Sequence, residues 1–199
     1  NEFFRSEISV EISKTGCCKK ISLEITWLSR RNDCKIAYYT EPVLAVSRVN
    51  SRFIIPELYD NSLLLKNPSR TEISGYMSIS SSENFTATTN REAFLSGNFD
   101  DITIAPQNNL CGTIVVKKQL NRKDKIKVDF YLAFGKTKES AVQMQKLFDN
   151  SSYSLTNSIS IDTPDKELNI IFNAWLHHQA LVGRIYARTG FYQNSGAWG

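Results

Sequence analysis

The sequence predicts a mainly β protein with C-terminal helices, in which an antiparallel β-sandwich comes first and the helices follow. Three observations lead to this prediction. Apolar and polar residues alternate with a period of two over much of residues 1–135, which is typical of strands with one buried face. Turn-forming residues divide this region into about ten short strands, the layout of an antiparallel sandwich. After Gly135 the apolar spacing changes to that of a helix.

The predicted strands can be placed in order along the chain. The first two carry the clearest alternation, at Ile8, Val10, Ile12, Ile21, Leu23 and Ile25, and the second leads into Trp27. The next covers residues 36–46, where Pro42 indicates an edge position or a bulge. Further short strands are predicted at residues 53–55, 63–65, 73–79, 85–89, 93–95, 112–120 and 126–134, the last two as a hairpin.

Two helices are predicted after the strands. Residues 138–148 have the apolar spacing of one short amphipathic helix. Thr163 as N-cap, Pro164 at the first helical position and Asp165 near the positive helix end predict the start of a longer helix, which runs to about Arg188. The apolar face of this helix is too wide for one helix to bury alone. We therefore expect it to pack on other helices or on the sandwich.

The composition argues against several functions. The 199 residues are 41% hydrophobic and 22% charged, with a formal net charge of +4. Lys and Arg residues are scattered without interleaved aromatics, which favours solvated strand faces and predicts no nucleic-acid partner. No apolar run reaches the ~20 residues of a membrane helix. Cys17, Cys18, Cys34 and Cys111 contain no C-x-x-C pair, which favours free thiols in a reducing compartment over disulfides or a metal site.

No catalytic or metal motif stands out. His177 and His178 are the only histidines, and adjacent helical residues point about 100° apart, so they cannot form the i, i+4 pair of a helical metal site. The sequence therefore predicts no metal. It also lacks the nucleophile-elbow, phosphate-loop and dinucleotide motifs. Asp100 and Asp101 are interpreted as turn residues, because glycosidic acids must face each other across a substrate.

A cluster of aromatic, amide and guanidinium residues lies near the end of the chain. Such groups together are typical of sugar sites, where rings stack on the sugar and polar groups bind its hydroxyls. The pattern alone favours a plainer alternative, in which Trp175 belongs to a core and the arginines lie on the surface. The cluster comprises Asn173, Trp175, Gln179, Arg184, Arg188, Tyr192 and Gln193. A polar, glycine-rich loop follows and ends at Gly199, and we expect the chain to be a fragment of a longer protein.

Two segments of this region resemble a known family. Residues 173–179 read Asn-Ala-Trp-Leu-His-His-Gln, and residues 184–199 read Arg-Ile-Tyr-Ala-Arg-Thr-Gly-Phe-Tyr-Gln-Asn-Ser-Gly-Ala-Trp-Gly. They resemble the start of the catalytic barrel in glycoside hydrolase family 94, formerly glycosyltransferase family 36, which holds cellobiose-type phosphorylases and cyclic β-1,2-glucan synthases. The chain departs from the family pattern at Ala174, His178 and Asn194-Ser195. A weaker resemblance, closer to the cyclic glucan synthases, covers residues 23–27, 38–48, 63–68 and 91–97.

The resemblance implies three regions. Residues 1–135 would form a β-sandwich that is incomplete at its N-terminus, residues 136–164 a helical linker, and residues 165–199 the start of a truncated (α/α)6 catalytic barrel. The general acid of such enzymes lies farther along the chain, so we expect no catalytic residue here and no catalysis from this chain alone. Arg184 and Arg188 are expected to fix the helix end. The residues expected to bind sugar or shape its loop are Tyr192, Gln193, Gly196 and Trp198.

The implied function is that of the N-terminal, non-catalytic part of a β-glucan phosphorylase or cyclic β-1,2-glucan synthase. Two alternatives stay open, a stand-alone carbohydrate-binding β-sandwich and a purely structural module. The implied partners are an oligo- or polysaccharide of β-glucan type and the remaining catalytic barrel, and a homo-oligomer stays open. No cofactor is expected, with inorganic phosphate as a candidate co-substrate of the full-length enzyme. We expect a cytoplasmic location, and tethering of the parent protein to the inner membrane is left open.

Overall fold

The computed structural model describes residues 3–13, 16–30, 33–45, 48–69, 75–148 and 160–176, together with residue 179. The chain divides into two compact units, Asn1–Tyr153 and Ser154–Gly199. Unit 1 is built mainly from antiparallel strands, and the described part of unit 2 contains a short helical stretch. The predicted mainly β class is therefore confirmed. The (α/α)6 barrel and the linker stay predictions.

The described residues contain nine strands in two sheets. Their bounds are β1 Phe4–Ile12, β2 Cys18–Trp27, β3 Asp33–Thr40, β4 Ile55–Tyr59, β5 Ser62–Lys66, β6 Tyr76–Ser81, β7 Thr86–Thr88, β8 Gly112–Gln119 and β9 Lys125–Gly135. The larger sheet has the order β1-β2-β9-β6-β5-β4, and the smaller sheet has the order β3-β8-β7. Every pair of neighbours is antiparallel.

The core of unit 1 consists of inward-facing residues from both sheets. Leu63 and Ile79 of the larger sheet are fully buried in the same apolar cluster as Ile114 and Val116 of the smaller sheet. Burial of each such side chain contributes roughly 1.5–3 kcal/mol. This shared cluster makes the two sheets one folding unit.

The prediction of one buried face is wrong for β1, and in β2 buried residues occur on both faces. Ile25 and Trp27 of β2 are buried in the core. Ile8, Val10 and Ile12 of β1 are between 59% and 64% exposed, although the register places them on the same face as the core residues of β2. These side chains are exposed because β1 is the edge strand of the larger sheet.

The strand predicted at residues 93–95 is wrong, because this segment belongs to helix α1, Arg91–Leu95. Asn90 is the N-cap of α1, and its side chain accepts a hydrogen bond of 3.1 Å from the Ala93 N–H. Such a cap satisfies one of the unpaired N–H groups that every helix start exposes. Capping therefore favours the helix for a short apolar segment that also fits a strand.

Two other predicted strands have different bounds in the structure. The strand expected over residues 36–46 ends at Thr40, two residues before Pro42, which cannot donate a backbone hydrogen bond to a ladder. The strand expected at residues 53–55 begins only at Ile55. A 3-10 helix, Arg48–Phe53, occupies the preceding residues.

The predicted short helix is present as α2, Lys138–Lys146, and it packs on the outer face of the larger sheet. Thr137 and Ser140 form a capping box, in which each side chain accepts a hydrogen bond from the other residue's backbone N–H, at 3.1 and 2.9 Å. Ala141 and Val142 are buried in a second apolar cluster with Leu64. The assignment of this segment to a linker stays a prediction.

Unit 2 begins its helix later than the sequence suggested. Helix α3 is Lys166–Ile170, and a π-helical turn, Ile171–Trp175, continues it. The prediction of Thr163 as N-cap is wrong, since the Asp165 carboxylate accepts hydrogen bonds from two N–H groups of the first turn, at 2.9 and 3.1 Å. The predicted continuation to Arg188 lies largely outside the described residues. No helix in the described ranges has the length and apolar character to cross a membrane.

A buried polar network anchors α2 to the larger sheet. The Gln145 Oε1 atom accepts hydrogen bonds from the Ser80 and Ser62 hydroxyls, at 2.6 and 3.3 Å. The Gln145 Nε2 atom donates to the Ser78 hydroxyl. All four side chains are buried. Buried polar groups are stable only when they are hydrogen-bonded, so the Gln145 amide helps to fix the position of α2, together with the apolar contacts of Ala141 and Val142.

We predict that Gln145→Leu lowers the free energy of unfolding by about 2–4 kcal/mol, because three buried hydroxyls lose their partner at roughly 1–3 kcal/mol each and relax only in part. Urea denaturation followed by circular dichroism measures the change. The matched control is Gln143→Leu on the exposed side of α2, which is expected to change stability by less than about 0.5 kcal/mol. Equal effects of the two substitutions would contradict the role of the network.

Candidate functional site

The residues predicted to bind sugar lie outside the part of the chain that the structure describes. These are Tyr192, Gln193, Gly196 and Trp198, and the same holds for Arg184, Arg188, His177 and His178. Their roles stay predictions. Of the predicted aromatic and amide cluster, the described residues are Asn173, Trp175 and Gln179.

Asn173 and Asn169 hold an extended segment against the helix of unit 2. The Asn173 amide accepts from the Ile161 N–H at 2.9 Å and donates to the Ile161 carbonyl at 2.8 Å. The Asn169 amide makes the same pair of contacts with the Thr163 backbone, both at 2.9 Å. Each side chain therefore acts like one residue of a β-ladder.

The spacing explains why two asparagines can do this. Residues four apart on an α-helix are separated by about 6 Å along the axis, and residues two apart on an extended chain by about 6.6 Å. Asn169 and Asn173 are four apart, and their backbone partners Thr163 and Ile161 are two apart. Asn173 therefore has a structural role in positioning the chain.

The helix of unit 2 presents a broad apolar surface. Trp175 is 55% exposed, and Gln179 is also exposed. The placement of Trp175 in a core stays a prediction. An apolar helix face of this width is normally covered by another element. We call it the apolar helix face, and its members are Leu168, Ile171, Phe172, Trp175 and Leu176.

Unit 1 contains a polar groove that the sequence analysis missed. It lies beside the β4–β5 hairpin, whose turn residues Asp60 and Asn61 have positive φ values of 45° and 55°, as a two-residue type I′ turn requires. The groove has a volume of about 350 Å³. It is lined by Asp60, Asn61, Ser62, Ser80, Ser81, Tyr131, Val142, Gln145 and Lys146.

The groove combines fixed hydrogen-bonding groups with an aromatic ring. Lys146 and Asp60 form an exposed ion pair of 2.7 Å at its rim. Burial, assisted by the charge of Asp129, raises the pKa of the Tyr131 phenol, so this hydroxyl stays protonated and can donate. The Tyr131 ring packs edge-on against Phe148, with centroids 6.1 Å apart. The Tyr131 side chain and the Lys146–Asp60 pair are the groups of this lining that suit a small ligand rich in hydroxyl groups.

A second polar cluster joins two segments that carried the family resemblance. The Tyr39 hydroxyl donates to the Glu41 carboxylate, and the Arg91 Nε atom donates to Glu41 Oε1 at 2.8 Å. Burial, followed by the hydrogen bond and charge of Glu41, raises the pKa of Tyr39 to about 12. The Phe94 ring stacks on Tyr39 at 4.8 Å. These contacts tie α1 to the chain that follows β3, which is a structural role.

The adjacent acids Asp100 and Asp101 each have separate partners. Asp100 pairs with Lys35 at 2.8 Å and Lys117 at 2.7 Å, and hydrogen bonds from these lysines lower the pKa of its carboxyl to about 2. Asp101 accepts from the hydroxyls of Thr88 and Thr103. They hold the loop after α1 on the smaller sheet. Within the described ranges, no three His, Cys, Asp or Glu side chains come together as a metal site.

One comparison with known proteins gives a partial match. A stretch of 44 residues, 22% of this chain, is 50% identical to the cyclic β-(1,2)-glucan synthase NdvB of Rhizobium meliloti (strain 1021). The match covers only 2% of that protein's length. No protein-family model matches the chain. Over this stretch the chain is therefore similar to part of a carbohydrate-active enzyme.

We predict that the two asparagine clamps act locally. Asn173→Ala should increase the hydrogen exchange rate of the Ile161 amide, because the bond that protects this N–H is lost. Asn169→Ala should have the same effect on the Thr163 amide, and each variant should change its own amide most. Hydrogen exchange followed by NMR measures both rates, and unchanged protection in either variant would contradict the clamp.

Proposed function

We propose that this chain is the N-terminal, non-catalytic part of a carbohydrate-active enzyme that acts on β-glucosides, of the β-glucan phosphorylase or cyclic β-1,2-glucan synthase type. The observation that carries this proposal is the stretch of 44 residues with 50% identity to a cyclic β-(1,2)-glucan synthase. Identity at this level over one stretch supports a common origin of that stretch. The role of the rest of the chain is inferred from the residues below.

The exposed apolar helix face is a second observation that supports the proposal. The five residues of this face, between Leu168 and Leu176, are each at least 41% exposed. In the proposed parent protein this helix is the first of an (α/α)6 barrel, and the following helices would cover the face. The remaining barrel is thus the proposed partner of residues 165–199.

In this proposal the catalytic residues belong to the downstream barrel. Tyr192, Gln193, Gly196 and Trp198 would line the entry of the sugar site. A downstream carboxylic acid with a raised pKa would protonate the leaving oxygen while phosphate or another sugar attacks the anomeric carbon. The two-sheet body of unit 1 would support the barrel. No cofactor is needed for this reaction.

The test compares this chain with a version extended by the downstream reading frame. Both are incubated with β-1,2-linked gluco-oligosaccharides, with and without inorganic phosphate, and the products are separated by chromatography. We expect no turnover by the chain alone, and glucose 1-phosphate or rearranged oligosaccharides from the extended protein. Turnover by the chain alone, or none by the extended protein, would overturn the proposal.

The polar groove favours a second candidate, a stand-alone carbohydrate-binding module. Its volume of about 350 Å³ is near the lower end of the roughly 300–1,000 Å³ of small-ligand pockets, which suits one or two sugar rings. Calorimetric titration with a β-1,2-linked glucose disaccharide tests this candidate. Lys146→Ala should weaken binding about tenfold by removing a donor at the rim, and Lys127→Ala, on a strand but outside the groove lining, should not. Absence of binding by the unmodified chain removes this candidate.

A further inference from the structure

The larger sheet has two edges, and they differ in how they are protected. The β4 edge is five residues long and contains Pro56, which prevents pairing at one position. The β1 edge is nine residues long and contains neither proline nor glycine. Among the strands that the structure describes, β1 pairs with β2 alone. A long edge strand without proline is a template for pairing with another strand, and its charged residues Arg5, Glu7 and Glu11 restrict which registers are possible.

The backbone groups that point away from β2 can be identified from its flanking hydrogen bonds. The Ser13 N–H donates to the Cys18 carbonyl at 2.9 Å, and the Leu28 N–H donates to the Phe3 carbonyl at 2.8 Å. Odd-numbered positions therefore bond to β2, because hydrogen-bonded pairs alternate along an antiparallel ladder. The N–H and C=O groups of the even-numbered residues of β1 point outward from the edge.

The side chains of these even-numbered residues form the uncovered apolar surface of β1. Ile8, Val10 and Ile12 are 64%, 59% and 59% exposed. The same positions thus carry both outward-pointing backbone groups and exposed apolar side chains. A new strand beside β1 would form hydrogen bonds with these backbone groups and would pack against these apolar side chains.

We propose that the occupant is a second copy of this chain, whose β1 pairs antiparallel with the first around a two-fold axis through Ile8. In this register Ile8 faces Ile8 of the second copy, Ser6 faces Val10, and Phe4 faces Ile12. All nine residues of each strand take part. The two larger sheets become one continuous sheet of twelve strands, six from each copy.

Among the registers that pair at least seven residues of each strand, the charges of β1 favour this one. On the polar face, Arg5 lies opposite Glu11 of the second copy, and the symmetry repeats this pair. Glu7 lies opposite Ser9. Moving the axis by one residue to Glu7 would place Glu7 opposite itself, and moving it to Ser9 would place Glu7 opposite Glu11. Like charges directly opposite each other destabilise a strand pair, and opposite charges stabilise it.

Arg5 and Glu11 of the second copy are also close enough to interact. They occupy non-hydrogen-bonded positions, where opposing Cα atoms are about 4.5 Å apart. Glu11 already contacts Lys20 at 3.2 Å within its own copy, so the pairing would create a row of alternating charges across the junction. The proposal rests on β1 alone and concerns the chain of these 199 residues.

The first experiment tests whether two copies associate and whether their β1 strands pair in the proposed register. In a Cys17→Ser background, which removes the exposed thiol, Ile8→Cys places two thiols on the proposed axis. Opposing Cα atoms about 5.5 Å apart suit a disulfide. Ser6→Cys is the matched control, because its two copies would lie four residues apart, about 13 Å along the strands. We expect mild oxidation to cross-link the Ile8→Cys chain alone, and equal cross-linking of the control would overturn the register.

A charge-reversal cycle tests the pairing without cysteines. Glu11→Arg and Arg5→Glu should each weaken dimerisation about tenfold or more, because two attractive pairs become repulsive. The double variant restores opposite charges and should recover the dimer. Analytical ultracentrifugation over a concentration series measures the dissociation constants, with thermal unfolding as a check on folding. A monomer at every concentration, or no recovery in the double variant, would overturn the proposal.

Discussion

Unit 1 depends on the packing of strand β9, which is enclosed from four directions. It pairs with β2 on one side and β6 on the other. Val128 and Phe130 enter the core between the sheets. On the opposite face α2 lies so close that a Cβ atom at Gly135 would come within 2.3 Å of the Ala141 backbone nitrogen. The strand therefore needs large residues inward and small ones beneath α2, because interiors are close-packed and tolerate little change in volume. The capping box stabilises the first turn of α2, and the Gln145 network holds α2 against the larger sheet.

Local patterns in the sequence were enough to predict the mainly β class, because alternation and turn residues are properties of neighbouring residues. They could not predict which faces are covered. The same period-two pattern occurs in β2, which is central, and in β1, which is at the edge with Ile8, Val10 and Ile12 exposed. The segment at residues 93–95 shows that a local pattern can also fail to distinguish a strand from a helix. Its apolar residues fit a strand, but the segment is a helix, with Asn90 as its N-cap and with Phe94 stacked on Tyr39.

The candidate sites also depend on contacts between distant residues, which local sequence patterns do not predict. The groove brings together Asp60, Ser80, Tyr131 and Gln145, which are far apart in the sequence, and no short motif joins them. Asn173 belonged to a plausible sugar-binding composition, but its amide is bonded to the Ile161 backbone. The signal that could have indicated this was its spacing of four residues from Asn169, next to a segment without helical pattern. Tyr192, Gln193, Gly196 and Trp198 lie outside the described residues, so their sugar-binding role rests on family resemblance.

The central claim is that this chain belongs to a larger carbohydrate-active protein, and the mass of the native protein tests it most directly. An antibody raised against the 199 residues can detect the protein in the cells that express it, and the gene can be sequenced past Gly199. We expect a product several times larger than the 22.6 kDa of this chain, continuing into a helical barrel. A native product close to 22.6 kDa would contradict the claim.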